Sequence, residues 1–196
     1  MTVSTDEDFG QPQEIDERGQ LCYAGFWPRL GATIVDGLVL APVTIFTCWL
    51  LSHSKSASIA LTFPLAIVGP AYEVILLARN GQTVGKMVTR IAVFRASRAS
   101  IGWGEVALRC SVQVSLALLS TISMFCAMRR LPDANWTGGW MVIYPRLQQM
   151  EPSWSRWALY AMNIWTWSEL ITLLFNRKRR ALHDFIAGTV VVRVRD

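Results

Sequence analysis

The chain has little of what chemistry at an active site usually draws on. In 196 residues it holds two histidines, His53 and His183, and four cysteines, Cys22, Cys48, Cys110 and Cys126. None of these falls in a C-x-x-C pair or in a Cys/His metal spacing. No Ser/His/Asp or Cys/His arrangement is legible, and no paired acids suggest glycosidase-type chemistry, so neither an enzyme, a metal nor a cofactor is expected. Gly81-Gln82-Thr83-Val84-Gly85-Lys86 falls short of a phosphate loop, which needs four residues between its glycines and Ser or Thr after the lysine. Here three intervene and Met87 follows, so these glycines are expected to turn the chain instead. There is no internal repeat, heptad pattern or low-complexity stretch. Nor is a cleavable leader expected, since residues 1–20 are acidic and polar and the first apolar run is too long for a signal segment.

Charge is scarce as well, at 17% of residues, while 52% are hydrophobic. With a mean hydropathy of +0.31, that balance excludes an ordinary soluble domain unless membrane spans carry the excess. Four runs approach the roughly 20 apolar residues that a span needs: 30–51, 57–78, 106–128 and 154–175. The last holds Arg156, Asn163 and Glu169, so the alternative is three spans plus an interfacial helix. The first holds Asp36, which costs roughly 2.5–3.5 kcal/mol at mid-membrane, against about 0.3–0.6 returned by each Leu, Ile, Val or Phe. Eleven such residues in 30–51 offset the acid. Arg29 stands two helical turns before Asp36 and on the same face, which makes it the candidate counter-charge.

The net charge of +5 is unevenly placed. Four spans with both termini in the cytoplasm put fourteen of the nineteen Lys and Arg inside, as the positive-inside rule requires. The basic excess is then a topology signal with anionic headgroups as its partner, and nucleic acid need not be invoked. Residues 1–20 read as a disordered acidic tail and 21–196 as one membrane domain. Tyr23, Phe26 and Trp27 are expected to anchor at the interface, and residues 52–56 to form a tight turn. Residues 129–153 are expected to run along the outer interface. Pro42, Pro64 and Pro70 each remove a helical hydrogen bond. Residues 87–94 and 189–194 alternate weakly and are rich in β-branched side chains, which predicts at most a small cytoplasmic β-ribbon. The fold expected is thus an all-α polytopic four-helix bundle.

At a rise of about 1.5 Å per residue, Asp36, Glu73 and Glu169 fall at one depth, roughly 8–9 Å below the inner boundary. Glu105, Arg109 and Gln113 form a polar stripe entering from the same side. Three carboxylates against Arg29 and Arg109 leave room for a proton or cation, if the groups converge. The competing reading is an ionic staple, each acid neutralised by an arginine or snorkelling to the interface.

Three blocks carry a family resemblance: Gly25-Phe26-Trp27-Pro28-Arg29-Leu30 leading to Asp36; Gly81-Gln82-Thr83-Val84-Gly85-Lys86; and Leu182-His183-Asp184 with Ala187-Gly188-Thr189-Val190-Val191. In this order they resemble the bacterial RDD family of membrane proteins, which is named for an arginine opening its first span, an aspartate within it and a second aspartate. By match the arginine is Arg29, the first aspartate Asp36 and the second Asp184. Residues 129–153 depart from the family pattern. The resemblance implies a helical inner-membrane protein and, for some members, transport that includes cation/proton exchange. Two classes of function follow. One is proton-coupled transport of a small solute or cation through Arg29, Asp36, Glu73, Arg109, Glu169 and Asp184, in a homo-oligomer. The other is a non-transporting assembly or envelope factor, with a membrane partner, whose helices the same charges staple.

Overall fold

The computed structural model describes residues 22–176 and 179–194. The acidic tail 1–20, and Arg177 and Lys178 of the basic run after the fourth apolar stretch, lie outside the described residues. Within them the order is α1 (Phe26–His53), α2 (Lys55–Asn80), α3 (Val84–Val88), β1 (Ile91–Arg95), α4 (Trp103–Arg130), a 3-10 turn (Asp133–Asn135), α5 (Trp140–Met150), α6 (Ser155–Phe175), α7 (Leu182–Ile186) and β2 (Thr189–Arg193). The described residues are mostly helical, with one two-stranded sheet. Helices α1, α2 and α4 are long and apolar enough to cross a membrane. Helix α6, over the fourth expected span, is not among them; Trp157, Asn163, Trp165, Trp167 and Glu169 dilute its apolar character. Pro42, Pro64 and Pro70 sit inside α1 and α2, which run through them.

The chain divides into two compact units. The first comprises the chain up to Asp36, Val74–Arg109 and the chain from Glu169 onward. Here α2 ends at Gly81, whose φ of +67° is a left-handed value that glycine adopts without strain. The Gly81 N–H closes on the Leu77 carbonyl at 2.9 Å. The expected ribbon is present but shorter: β1 pairs antiparallel with β2, Ile91 opposite Arg193 and Arg95 opposite Thr189. Met87 and Val88 belong to α3 instead, because Thr83 caps a helical turn there. Ala92, Phe94, Val190 and Val192 form a buried cluster against which Tyr23 packs. The Tyr23 backbone also bridges to Val192. Trp27 is 76% exposed. Glu105 accepts from the Gly102 N–H at 2.9 Å, capping α4, and pairs with Arg95 at 2.9 Å.

The second unit comprises Gly37–Glu73 and Cys110–Ser168. Only Ser54 separates α1 from α2; its hydroxyl accepts from the Ala57 N–H at 3.2 Å, an N-cap. Lys55 Nζ donates to the Leu131 carbonyl at the end of α4 and to Asp133 at 2.6 Å. Residues 129–153 contain α5, whose Ile143 and Leu147 are fully buried against Leu51, Ala127, Met128 and Leu131. This connection is therefore part of a core, and each such side chain contributes about 1.5–3 kcal/mol on burial. The four cysteines are free thiols.

Candidate functional site

Two carboxylates organise the first unit, and each is met by a different set of donors. Asp184 stands in α7, a five-residue helix, and has no exposed surface. Its Oδ2 accepts from Arg29 Nη1 at 2.9 Å and from the Ala181 N–H at 3.0 Å. Its Oδ1 accepts from Arg109 Nη1 and, at 3.2 Å, from the Thr189 hydroxyl. Both oxygens are thus doubly engaged, which meets the capacity of an ionised carboxylate. The bonds tie α7 to the opening of α1, to α4 and to the first residue of β2. Arg29 also donates to the Arg179 carbonyl at 2.8 Å, and Arg179 holds a left-handed φ of 47° to present it. Arg109 reaches the Thr189 hydroxyl at 3.1 Å as well. Arg180 closes the loop from Thr189 to Asp184, its Nε and Nη2 each 2.9 Å from those carbonyls.

Asp36 caps α3. Its Oδ2 accepts from the Thr83 hydroxyl at 2.6 Å and its Oδ1 from the Gly85 N–H at 2.7 Å. A carboxylate at the opening turn of a helix satisfies donors that have no partner within the helix. The six-residue glycine segment makes this possible. Gly81 ends α2, buried Gln82 donates to the Ile91 carbonyl at 3.0 Å, Thr83 is the N-cap, and Gly85 lies against α1. A Cβ at Gly85 would stand 2.1 Å from the Ala32 carbonyl oxygen. The second glycine of the segment is therefore a contact glycine and only the first makes a turn.

The expected pairing is rearranged accordingly. Arg29 pairs with Asp184, two turns from Asp36 along α1. Glu169 pairs with His183 Nδ1, and His183 Nε2 stands 3.5 Å from Asp184 Oδ1. Glu73 is half-buried on α2 and falls in the second unit. Of the stripe on α4, Glu105 caps, Arg109 is buried and Gln113 is exposed. Among the described residues, no group of three His, Cys, Asp or Glu is placed to hold a metal ion.

Burial acts to raise the Asp184 pKa, but the Arg109 and Arg29 guanidiniums, with His183 behind them, together outweigh it. The carboxyl is held well below its usual range. A depressed native pKa contributes stability that is complete above the unfolded value, about 3.9, and is lost as pH falls through the folded one, because only the unfolded chain takes up the proton in between. The unfolding midpoint in detergent is therefore expected to drop once pH falls below about 4, and Asp184→Asn to remove that component of the slope. A wild-type midpoint indifferent to pH between 5 and 3 would contradict the pairing.

Thr83, Gly85, Gln82, His183 and Thr189 complete these two groups without having been singled out as site residues. With the geometry in place, comparison with known proteins gives one result: the RDD family model matches residues 23–188, a span that contains Arg29, Asp36 and Asp184. No curated protein and no solved structure matches the chain.

Proposed function

The chain belongs to the RDD family, and from that membership and the bonded state of Asp36 and Asp184 we propose that it is a non-transporting membrane assembly or envelope factor. Arg29, Asp36 and Asp184 act in it as an architectural lock. The single observation behind this reading is that both oxygens of Asp36 and both of Asp184 already accept hydrogen bonds. A carboxylate that shuttles ions must give up such bonds at each cycle, and a buried pair loses about 3–5 kcal/mol when one partner goes. The lock holds the opening turns of α1 and α4 to α3, α7 and the ribbon. In this reading the protein is no enzyme. It sits in the bacterial inner membrane with both termini cytoplasmic, an orientation supported by the Lys/Arg asymmetry. Arg90, Arg95 and Arg98 are exposed on the first unit, which supports docking on anionic headgroups.

Flux and stability separate this reading from proton-coupled transport. Liposomes holding the wild-type chain are expected to pass monovalent cations no faster than empty ones under a pH gradient. Asp36→Ala is expected to lower the unfolding midpoint. Asp36→Asn, which keeps an acceptor for Gly85 and lets the Thr83 hydroxyl accept instead, should lower it less. A pH-dependent flux that Asp36→Asn abolishes at unchanged midpoint would return the site to transport.

A further inference from the structure

The second unit holds a cavity of about 580 Å³ between α4, α5 and the start of α6, within the range of about 300–1,000 Å³ typical of small-molecule sites. Its lining includes Ser123, Tyr144, Gln148, Gln149, Glu151 and Arg156. Ser123 is 2% exposed, and its hydroxyl has no hydrogen-bond partner among the described residues. That sets it apart from its neighbours: Ser120 and Thr121 on the same helix donate to the carbonyls four residues back, at 3.1 and 2.8 Å. A buried hydroxyl that its own helix leaves unsatisfied costs about 1–3 kcal/mol unless something in the cavity meets it.

The other five form its open side: Tyr144, Gln148, Gln149 and Arg156 are exposed and Glu151 is half-buried, and none makes a hydrogen bond or ion pair with a described residue. Two of them carry opposite charges. Glu151 ends α5 and Arg156 opens α6, five positions apart across the Pro152 turn, yet the two do not pair with each other. An anion alone would meet Arg156 but face Glu151, and a cation alone would face Arg156. The complementary ligand is neutral overall and carries both charges, while amides and hydroxyls take up its remaining donors and acceptors. We propose that this cavity binds a small zwitterionic solute of the amino-acid type. Arg156 takes the carboxylate, Glu151 the ammonium group, and Ser123 hydrogen-bonds the solute at the buried side. The assignment does not depend on the lock in the first unit.

Saturation-transfer NMR on the full chain in nanodiscs tests it, with L-glutamine as probe and sodium acetate, methylamine and mannitol as single-feature controls. L-glutamine is expected to receive saturation and the three controls to receive none. Glu151→Gln and Arg156→Gln should each weaken L-glutamine binding about 10-fold or more, as for loss of a charged hydrogen bond. Ser123→Ala should weaken it by a smaller factor, and because it removes a buried hydroxyl and leaves no partner stranded, it should not lower the midpoint of unfolding. No transfer to L-glutamine, equal transfer to mannitol or acetate, or binding that survives both charge substitutions would overturn the proposal.

Discussion

Replacing Asp184 with Asn is expected to lower the unfolding midpoint of the purified chain by on the order of 10 °C. The figure follows from about 3–5 kcal/mol for breaking a buried ion pair and about 2–4 °C per kcal/mol in a chain of this length. Asn is nearly isosteric, so the loss is electrostatic. Asp184 only accepts, on both oxygens, from three donors in three other elements and from the N-cap N–H of its own helix. Either orientation of an Asn amide aims its NH₂ at a guanidinium. Arg109, with a side chain only 6% exposed, then keeps its charge without a counterion. The cause can be isolated by removing that charge too. In Arg109→Met, Asp184→Asn one buried cation is gone, and the double variant should recover part of the loss, a coupling of the kind that residues in one network show. Strict additivity in the cycle, measured as thermal or denaturant midpoints in one detergent, would mean that the two side chains do not act as a pair.

How much of this was legible in the residues depends on which physical quantity each inference used. Helices α1, α2 and α4 could be read from composition, because length and apolarity alone define a span. The ribbon was visible from its β-branched runs, though its start moved from 87 to 91 because a Thr cap outweighs weak alternation. The charge layer fared differently. Rise along a helix sets the depth expected for Asp36, Glu73 and Glu169, but depth does not fix direction around the axis, which packing decides. Thus Arg29 turned to Asp184, which the depth argument could not reach because α7 lies outside every span. Only the match of the Leu182-His183-Asp184 block to a family pattern brought it in. Thr83 offered a local signal, a hydroxyl residue opening a turn before Lys86, yet nothing in the sequence named Asp36 as its partner 47 positions away.

Gly85→Ala gives the sharper test, because local propensity and tertiary packing predict opposite signs. Gly85 lies in α3, where alanine is favoured over glycine by about 0.8–1.0 kcal/mol, so an isolated view expects stabilisation. The added Cβ would stand 2.1 Å from the Ala32 carbonyl oxygen and 2.8 Å from Asp36 Cγ. The first of these is backbone within a continuous helix and cannot turn aside as a flexible side-chain tip can. Helix α3 must therefore back away from α1 by on the order of 1 Å to restore ordinary contact distance. The 2.7 Å bond from the Gly85 N–H to Asp36 is then stretched or lost. Overpacking costs about 1–3 kcal/mol, and a hydrogen bond to a charged group about 1.5–3 more, so destabilisation is expected to win. The midpoint should fall by about 5–15 °C. Gly104→Ala is the control, since the first turn of α4 leaves nothing within 4 Å of its Cβ and should gain about 0.5–1 kcal/mol. If the loss at Gly85 works through the cap, it should shrink in an Asp36→Ala background, where there is no carboxylate left to displace. Equal losses in both backgrounds would place the whole effect in the clash with Ala32, and a gain at Gly85 matching that at Gly104 would show that α3 does not lie against α1 at all.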